Sequence, residues 1–319
     1  MSHCTANKKA TSAFVRRNSI PTTGAVAKAL FNSAIGIDVH HDILVCAYQY
    51  CNRESDEITT EVCSFGTTAS ELARFTDWCR NHHPEQILME STGVLWFSPY
   101  EALESVGFTN RQLSLINARD FKAIVGRKSD KQDAERLALY ARIGNVRSSF
   151  VPAKCFREMR AVSRLLSKTT DEQSRARSRY LKTLNFIGCR ASSVFSDVRG
   201  KAATAILEVL AEGTREQLID AIKIHGRRLR KSAAEILDAL DFAVSPAMAM
   251  QLRIQKQHME ALSQTCEELY ALLKVMQANY QPWINRLMTV PGIKERAARV
   301  IFAEVTNDLS SFPDAAHLA

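Results

Sequence analysis

The order of strands and helices predicted between residues 34 and 150 constrains the fold more than any other feature of this chain. Apolar, β-branched runs predict strands near residues 35–40, 43–50, 60–65, 86–90 and 112–117. Helical periodicity predicts helices near residues 68–81, 94–106, 118–125 and 131–143. Three early strands joined by hairpins and followed by strand–helix units indicate an α/β fold, with helices on the faces of a mixed sheet.

Four acidic residues lie in three of these predicted elements. Asp38 interrupts the apolar strand 35–39, Glu90 ends a later strand, and Asp130 and Asp133 stand three residues apart at a helix start. A carboxylate in an apolar strand is costly to bury without a partner, and two close carboxylates repel unless a cation lies between them. A solvated acidic face at a helix start has the same D-x-x-D spacing, so the helical pair alone does not identify a site.

The predicted order of elements suits an RNase H-like core, and that fold would bring the four acids together. Its first strand carries an acid at mid-sheet, its fourth strand ends nearby, and a late helix lies against the same edge. Converging carboxylates would suit two divalent metal ions about 3.5–4 Å apart, which clamp the attacking and leaving oxygens of phosphoryl transfer. His40 is close to Asp38, but a histidine pair at a predicted turn is also explained by the turn itself.

Composition narrows the classes of partner and location. The 319 residues carry a formal charge of +8, which favours a polyanionic partner. We expect no membrane partner, because no apolar run approaches the roughly 18 residues that a membrane span needs. Residues 1–33 are basic without a following apolar core, so we expect a disordered arm rather than a secretory signal. The eight Cys form no C-x-x-C pair, which is typical of a reducing, cytoplasmic location.

The region 151–285 is predicted to be helical and carries most of the positive charge. From Arg142 to Lys231 there are 20 Lys and Arg residues against 8 Asp and Glu residues. Two runs concentrate the cations: Arg175, Arg177, Arg179 and Lys182, then Arg227, Arg228, Arg230 and Lys231. Guanidinium forks bind phosphates well, so both runs are predicted nucleic-acid contacts, although a solvated helix face would also carry such charges.

Two further patterns follow in the C-terminal part of the chain. Apolar residues between Ile254 and Met276 predict a long amphipathic helix, which fits packing inside the chain and a coiled-coil dimer seam equally. A P-G-I turn at residues 291–293 separates two helical segments, as in a helix-hairpin-helix element. Gly292 would let the backbone approach a phosphate there, with Lys294 beside it, although such turns are common.

Three motifs together resemble the DEDD-type insertion-sequence transposases, which include Piv-like DNA invertases and transposases guided by a bridge RNA. They are G-I-D-V at residues 36–39, M-E-S-T-G at 89–93 and K-S-D-K-Q-D-A at 128–134. The later V-P-G-I segment and the ending S-S-F-P-D-A-A-H-L-A resemble the start of that family's C-terminal domain. The resemblance implies a RuvC-like catalytic domain at 34–150, a basic helical or coiled-coil region at 151–285, and part of a C-terminal transposase domain at 286–319.

The same resemblance implies an activity and its partners. Asp38, Glu90, Asp130 and Asp133 would bind Mg²⁺ or Mn²⁺ and catalyse cleavage and exchange of DNA strands. The implied partners are DNA, a structured guide RNA in the RNA-guided members, and further copies of the chain in a dimer or tetramer.

Two alternatives remain open from the sequence. The family's C-terminal domain carries a serine nucleophile tens of residues beyond the P-G-I turn, and the sequence ends before that position. A truncated remnant that binds nucleic acid without completing the chemistry is therefore an alternative expectation. An actin-like sugar kinase or ATPase also begins with a G-I-D strand, but it needs Gly-rich phosphate loops, and none is apparent among only 12 Gly.

Overall fold

The computed structural model describes residues 14–18, 29–117 except 53, 56 and 92, 130–144, 148–240, 244–309, and residues 312, 314 and 316. The chain divides into two compact units, residues 1–152 and 153–319. The first is built around a β-sheet and the second from helices. None of the described helices has the length and apolar character needed to cross a membrane.

The first unit contains a mixed sheet with strand order β1-β4-β3-β2-β5-β6. Its strands are β1 (Phe14–Asn18), β2 (Ser33–Val39), β3 (Ile43–Cys51), β4 (Ile58–Gly66), β5 (Gln86–Ser91) and β6 (Leu113–Asn117). β2, β3 and β4 pair antiparallel, whereas β2, β5 and β6 pair parallel. The sheet thus has three antiparallel and two parallel strand pairs, with helices on both faces. This arrangement confirms the predicted RNase H-like, RuvC-like α/β fold.

Helices cover both faces of β2, and for that reason all seven of its residues are buried. Its odd-numbered residues Ile35, Ile37 and Val39 share a core with α1 (Ala69–His82) and α2 (Phe97–Ser105). Its even-numbered residues point to the opposite face, where α3 (Asp130–Ile143) packs.

Gly36 lets α3 lie directly on β2. A Cβ atom at this position would collide with the Ala134 carbonyl oxygen and the Ala138 amide, and would lie 2.7 Å from Leu137 Cβ. A residue without a side chain is therefore required where the helix backbone crosses the strand.

The N-terminal region differs in part from the expected disordered arm. Residues Phe14–Asn18 form β1, which pairs antiparallel with β4 at the sheet edge, so the expectation is wrong for these five residues. Backbone hydrogen bonding to an exposed strand edge explains a strand that local sequence did not indicate. The helix predicted at 118–125 lies outside the described residues.

The second unit is organised along two long antiparallel helices, α4 (Lys154–Phe186) and α9 (Pro246–Met276). The end of α4 packs with the start of α9 in one core, joined by α5 (Ala191–Val194), α6 (Lys201–Glu212), α7 (Arg215–His225), a 3-10 turn (Gly226–Arg228) and α8 (Ala233–Leu240). The start of α4 packs with the end of α9 in another core, joined by a 3-10 turn (Ala278–Tyr280), α10 (Gln281–Met288) and α11 (Glu295–Val305). Residues 286–305, expected to begin a further domain, thus pack within this unit.

The buried face of α9 contacts α4 of the same chain. Leu252, Cys266 and Leu273 are buried in the two helical cores. Ile254 and Leu272, which the apolar pattern placed on the packing face, are 58% and 47% exposed. The amphipathic helix is therefore present, and Met259, Leu269, Leu273 and Met276 of the predicted pattern pack in the two cores, whereas Ile254 and Leu272 do not.

Candidate functional site

The strand register brings Asp38 and Glu90 together. β2 and β5 pair in parallel with Ile37 opposite Met89, so Asp38 and Glu90 follow at the next position on neighbouring strands. Parallel neighbours lie about 4.8 Å apart, and both residues are on the face that α3 covers. Each residue is only 6% exposed. Two buried carboxylates thus lie side by side near the ends of two parallel strands.

The direction of α3 brings its first turn to the same end of these strands. Ala34, at the start of β2, packs with Leu137 and Ala141 in the second half of the helix. The helix therefore runs antiparallel to β2, and its start lies towards Asp38. Asp130 is the first residue of α3, and Asp133 lies one turn along it.

The structure describes the two helical acids to different extents. The Asp133 carboxylate is half-buried, and its Oδ1 lies 3.7 Å from Arg136 Nη1. The side chain of Asp130 lies outside the described part of the structure. Among the described side chains, which do not include that of Asp130, no group of three or more His, Cys, Asp or Glu is placed to hold a metal ion.

His40 contacts the candidate centre directly. Its Nε2 donates to Asp38 Oδ2 at 3.1 Å, and its backbone amide donates to the Ile43 carbonyl at 3.0 Å. The turn between β2 and β3 thus fixes the backbone from which the imidazole reaches the carboxylate. The sequence placed His40 close to Asp38, but the hydrogen bond depends on the geometry of the turn.

Burial makes a cation the natural complement of this acidic group. Adjacent buried carboxylates repel each other and lose hydration, and a divalent ion removes both penalties. Carboxylate oxygens are the hard ligands that Mg²⁺ and Mn²⁺ prefer, so the side chains present fit such an ion. A thiolate ligand is not offered by nearby Cys46, because burial raises the pKa of its thiol well above the usual value and its side chain lies on the other face of the sheet.

The first basic run divides into two groups. Arg175, Arg179 and Lys182 are exposed on α4. Arg177 instead points to Asp197, with 3.4 Å between its Nη1 and the carboxylate Oδ1. The run therefore leaves three cations free to meet solvent, and the fourth is partly neutralised within the unit.

The second basic run and the P-G-I turn also lie at the surface. Arg227 and Arg230 are exposed, Lys231 Nζ lies 3.5 Å from Glu235 Oε1, and the side chain of Arg228 is outside the described set. Gly292 has φ of +89°, a conformation that L residues rarely adopt, in the turn between α10 and α11. The exposed Lys294 caps the start of α11.

Comparison with known proteins gives one family match and a weaker structural likeness. Residues 35–188 match the model of the IS110-type DEDD transposase family, whose description is "Transposase". The solved structure of RuvC from Thermus thermophilus is similar to part of the chain, with 17% sequence identity, 37% of this chain and 99% of that chain covered, and a TM-score of 0.25. No curated protein sequence matches the chain.

Proposed function

We propose that this chain, whose residues 35–188 match the model of the IS110-type DEDD transposase family, is a member of that family and that Asp38, Glu90, Asp130 and Asp133 form its metal-binding centre. The family makes it a DNA transposase with a nuclease-type active site. The observation that supports the residue assignment is the register of β2 and β5, which sets the buried carboxylates of Asp38 and Glu90 side by side. The first turn of α3, which carries Asp130 and Asp133, lies towards the same end of these strands.

In the proposed mechanism the four acids act as ligands rather than as proton carriers. Asp38 and Glu90 supply oxygens from the rigid sheet, and Asp130 and Asp133 supply oxygens from the first turn of α3. Bound Mg²⁺ or Mn²⁺ would polarise the scissile phosphate and activate the attacking oxygen. His40 would hold the Asp38 carboxylate in one orientation, because its Nε2 donates to one of the two oxygens.

DNA is the partner that the family and the exposed cations support. We propose that Arg175, Arg179 and Lys182 contact the phosphate backbone, with Arg227, Arg230, Gly292 and Lys294 as further contacts. Arg177, Arg228 and Lys231 belong to the same basic runs, and the ion pairs of Arg177 and Lys231 reduce the charge they offer. A guide RNA and a dimer or tetramer are proposed from the family resemblance, and the free cysteines among the described residues support the proposal of a cytoplasmic location.

The direct test is cleavage of branched and element-end DNA by the purified chain with Mg²⁺, comparing wild type with Asp38→Asn. The substitution keeps the shape of the side chain and removes its charge, so we expect at least about a 100-fold loss of cleavage with DNA binding retained. Asp42→Asn is the matched control, because Asp42 is exposed in the neighbouring turn. Equal cleavage by wild type and Asp38→Asn would refute the assignment.

Metal binding provides a second test of the proposed centre, one that does not depend on catalytic turnover. Titration of Mn²⁺ by calorimetry should give a binding isotherm for wild type and Asp42→Asn, and a strongly weakened one for Asp38→Asn and Glu90→Gln. Metal binding without cleavage by wild type would favour the alternative of a catalytically incomplete, nucleic-acid-binding chain.

A further inference from the structure

The last residue of α4 presents an aromatic ring to solvent. Phe186 is 79% exposed, which is the highest value among the large apolar side chains that the structure describes. Its ring exposes apolar surface to water, which is unfavourable unless that surface is covered. A single exposed apolar side chain is ordinary on a protein surface, so the meaning of this ring depends on the residues beside it.

Phe186 lies on the same helical face as three exposed cations. Arg175, Arg179, Lys182 and Phe186 follow one another at spacings of four, three and four residues, which is the spacing of one face of an α-helix. With a rise of about 1.5 Å per residue, the stripe extends about 16 Å along α4. We call these four residues the α4 ridge.

The cations of the ridge have no acidic partner within the described part of the chain. Other basic residues of α4 do have one: Arg164 lies 2.8 Å from Glu304, and Arg177 lies 3.4 Å from Asp197. Like charges one turn apart also disfavour the helix slightly. The ridge therefore keeps three cations that no ion pair of the described residues neutralises, beside an uncovered aromatic ring.

We propose that the α4 ridge binds a single-stranded segment of DNA, with phosphates on Arg175, Arg179 and Lys182 and an unpaired base stacked on Phe186. Cations that follow the backbone and an aromatic ring that stacks on a base form the usual single-strand binding surface. In a duplex the base faces are stacked on one another, so no base face would be available to stack on Phe186. The inference rests on the proposed function as a DNA-cleaving transposase, because strand exchange separates paired strands.

Charge also argues against a second copy of the chain as the occupant. A two-fold interface would place the ridge of one copy against the same ridge of the other. Three uncompensated cations would then face three more, with no acid in the described ridge to separate them. A polyanion with exposed aromatic faces complements both features of the surface.

The test compares binding of a fluorescein-labelled oligothymidine and of a duplex of the same length to the full chain by anisotropy. We expect Phe186→Ala and Phe186→Leu to weaken single-strand binding about tenfold, because stacking is lost in both. Phe186→Trp should retain the affinity and show added fluorescence quenching on binding. Duplex binding should be unchanged in all three variants.

Ile224→Ala is the matched control, because Ile224 is 67% exposed on α7 and outside the ridge. Arg179→Gln should reduce the slope of log affinity against log salt by about 0.7, whereas Phe186→Ala should leave it unchanged. Thermal melts followed by circular dichroism will verify that each variant is folded.

Several outcomes would overturn the inference: wild-type single-strand affinity in Phe186→Ala, retained affinity in Phe186→Leu, an equal loss of duplex binding, or binding of an RNA oligonucleotide in place of the DNA. The inference and the proposed function can be refuted independently of each other. Asp38→Asn should bind oligothymidine as wild type does, and Phe186→Ala should bind Mn²⁺ as wild type does. Unchanged cleavage in Asp38→Asn would refute the metal centre and leave the ridge standing.

Discussion

Gly36 is the residue on which the candidate metal centre depends most without touching it. Replacing it with alanine would drive a Cβ atom into the α3 backbone at Ala134 and Ala138. Because helix backbone cannot move aside as a side chain can, we expect Gly36→Ala to lower the free energy of unfolding by about 3 kcal/mol, the upper end of overpacking effects. Urea denaturation followed by circular dichroism measures it.

Gly66→Ala is the control for that substitution, because its new Cβ atom would first meet the flexible Glu71 side chain, at 3.1 Å. We expect less than about 1 kcal/mol there. If both variants unfold at the same urea concentration, the close contact between β2 and α3 does not hold the helix in place.

His40 gives a second expectation at the scale of one residue. If its hydrogen bond orients Asp38, His40→Ala should weaken Mn²⁺ binding about tenfold, as the loss of other carboxylate-orienting partners does. His40→Gln should retain most of the affinity, because its amide N–H can donate to the same oxygen. Calorimetry measures both, with His41→Ala as the control, because His41 is exposed and bonds to Asp42. Wild-type affinity in His40→Ala would show that Asp38 is positioned without it.

Particular residues also show which contacts could be predicted from the sequence and which could not. Asp38 and Glu90 could be predicted as neighbours because the order of elements suited an RNase H-like core, in which the strands that carry these two acids lie close together. The ion pair of Arg177 could not be predicted, because Asp197 is twenty positions away and reaches it only after α4 and the following turn have folded. Phe186 stands four positions after Lys182 and therefore shares its helical face, but a pattern of charges alone does not single out an aromatic residue.

At the scale of elements, one buried arginine links α10 and α11 to the residue that follows α9 in the second unit. Arg299 is 3% exposed, and its Nη2 donates to Glu295 Oε1 at 2.8 Å within α11 and to Gln281 Oε1 at 2.9 Å on α10. Its backbone carbonyl accepts from the buried Gln277 Nε2 at 2.9 Å, just after α9. The geometry needs the planar fork of arginine, since one ammonium group cannot reach these partners together.

We therefore expect Arg299→Lys to destabilise the protein by about 2 kcal/mol, because the buried Gln277 Oε1 loses the donor that Arg299 Nη1 supplies at 3.4 Å, and one ammonium group cannot keep the bonds to both Glu295 and Gln281. Arg296→Lys on the same helix should change stability by less than about 1 kcal/mol, since that residue is exposed and only stacks over Tyr270, 5.3 Å from the ring centroid. Urea denaturation of both variants measures these two changes in the free energy of unfolding. Equal midpoints for the two would mean that α11 docks through its apolar face alone.

The elements that local sequence missed are those whose formation depends on distant partners. β1 forms by pairing with β4, more than forty residues later, and five polar and apolar residues in a basic segment give no strand signal alone. Ile254 and Leu272 of α9 are exposed although the apolar pattern included them, because the partner helix α4 sets which residues of that pattern are buried. By contrast, β2 to β6 and α1 to α3 agree with their predicted positions, since their apolar patterns are strong and their connections short.

At the scale of the whole molecule, the chain has separate hydrophobic cores rather than one. The sheet and its helices enclose the first, and the two ends of the α4–α9 pair enclose two more. The sequence indicated a sheet unit followed by helices because composition changes near residue 150. It gave no sign of two helical cores, since helices of similar composition pack at both ends of the pair.

Each of these three cores contains a buried cysteine, so thiol labelling can report the opening of each separately. Cys46 and Cys79 lie in the sheet core, Cys189 in one helical core and Cys266 in the other, whereas Cys155 is exposed. Burial raises the pKa of the Cys189 thiol to about 12, so the native thiol stays neutral at pH values where an unfolded thiol, with a pKa of about 8.5, ionises. Between those values the unfolded state has lost a proton that the native state keeps, so rising pH lowers stability through this group.

We expect iodoacetamide at pH 8.5, after reduction, to label Cys155 at least about 100-fold faster than Cys189, because only a thiolate in an opened core reacts. Mass spectrometry of peptides over a urea series would give a separate labelling midpoint for each buried cysteine. Phe75→Ala should advance labelling of Cys46 and Cys79, and Leu207→Ala that of Cys189, because each removes atoms from one core. Equal labelling of Cys155 and Cys189 without urea would contradict the buried position of Cys189, and a single shared midpoint in every variant would mean that the cores open as one cooperative unit.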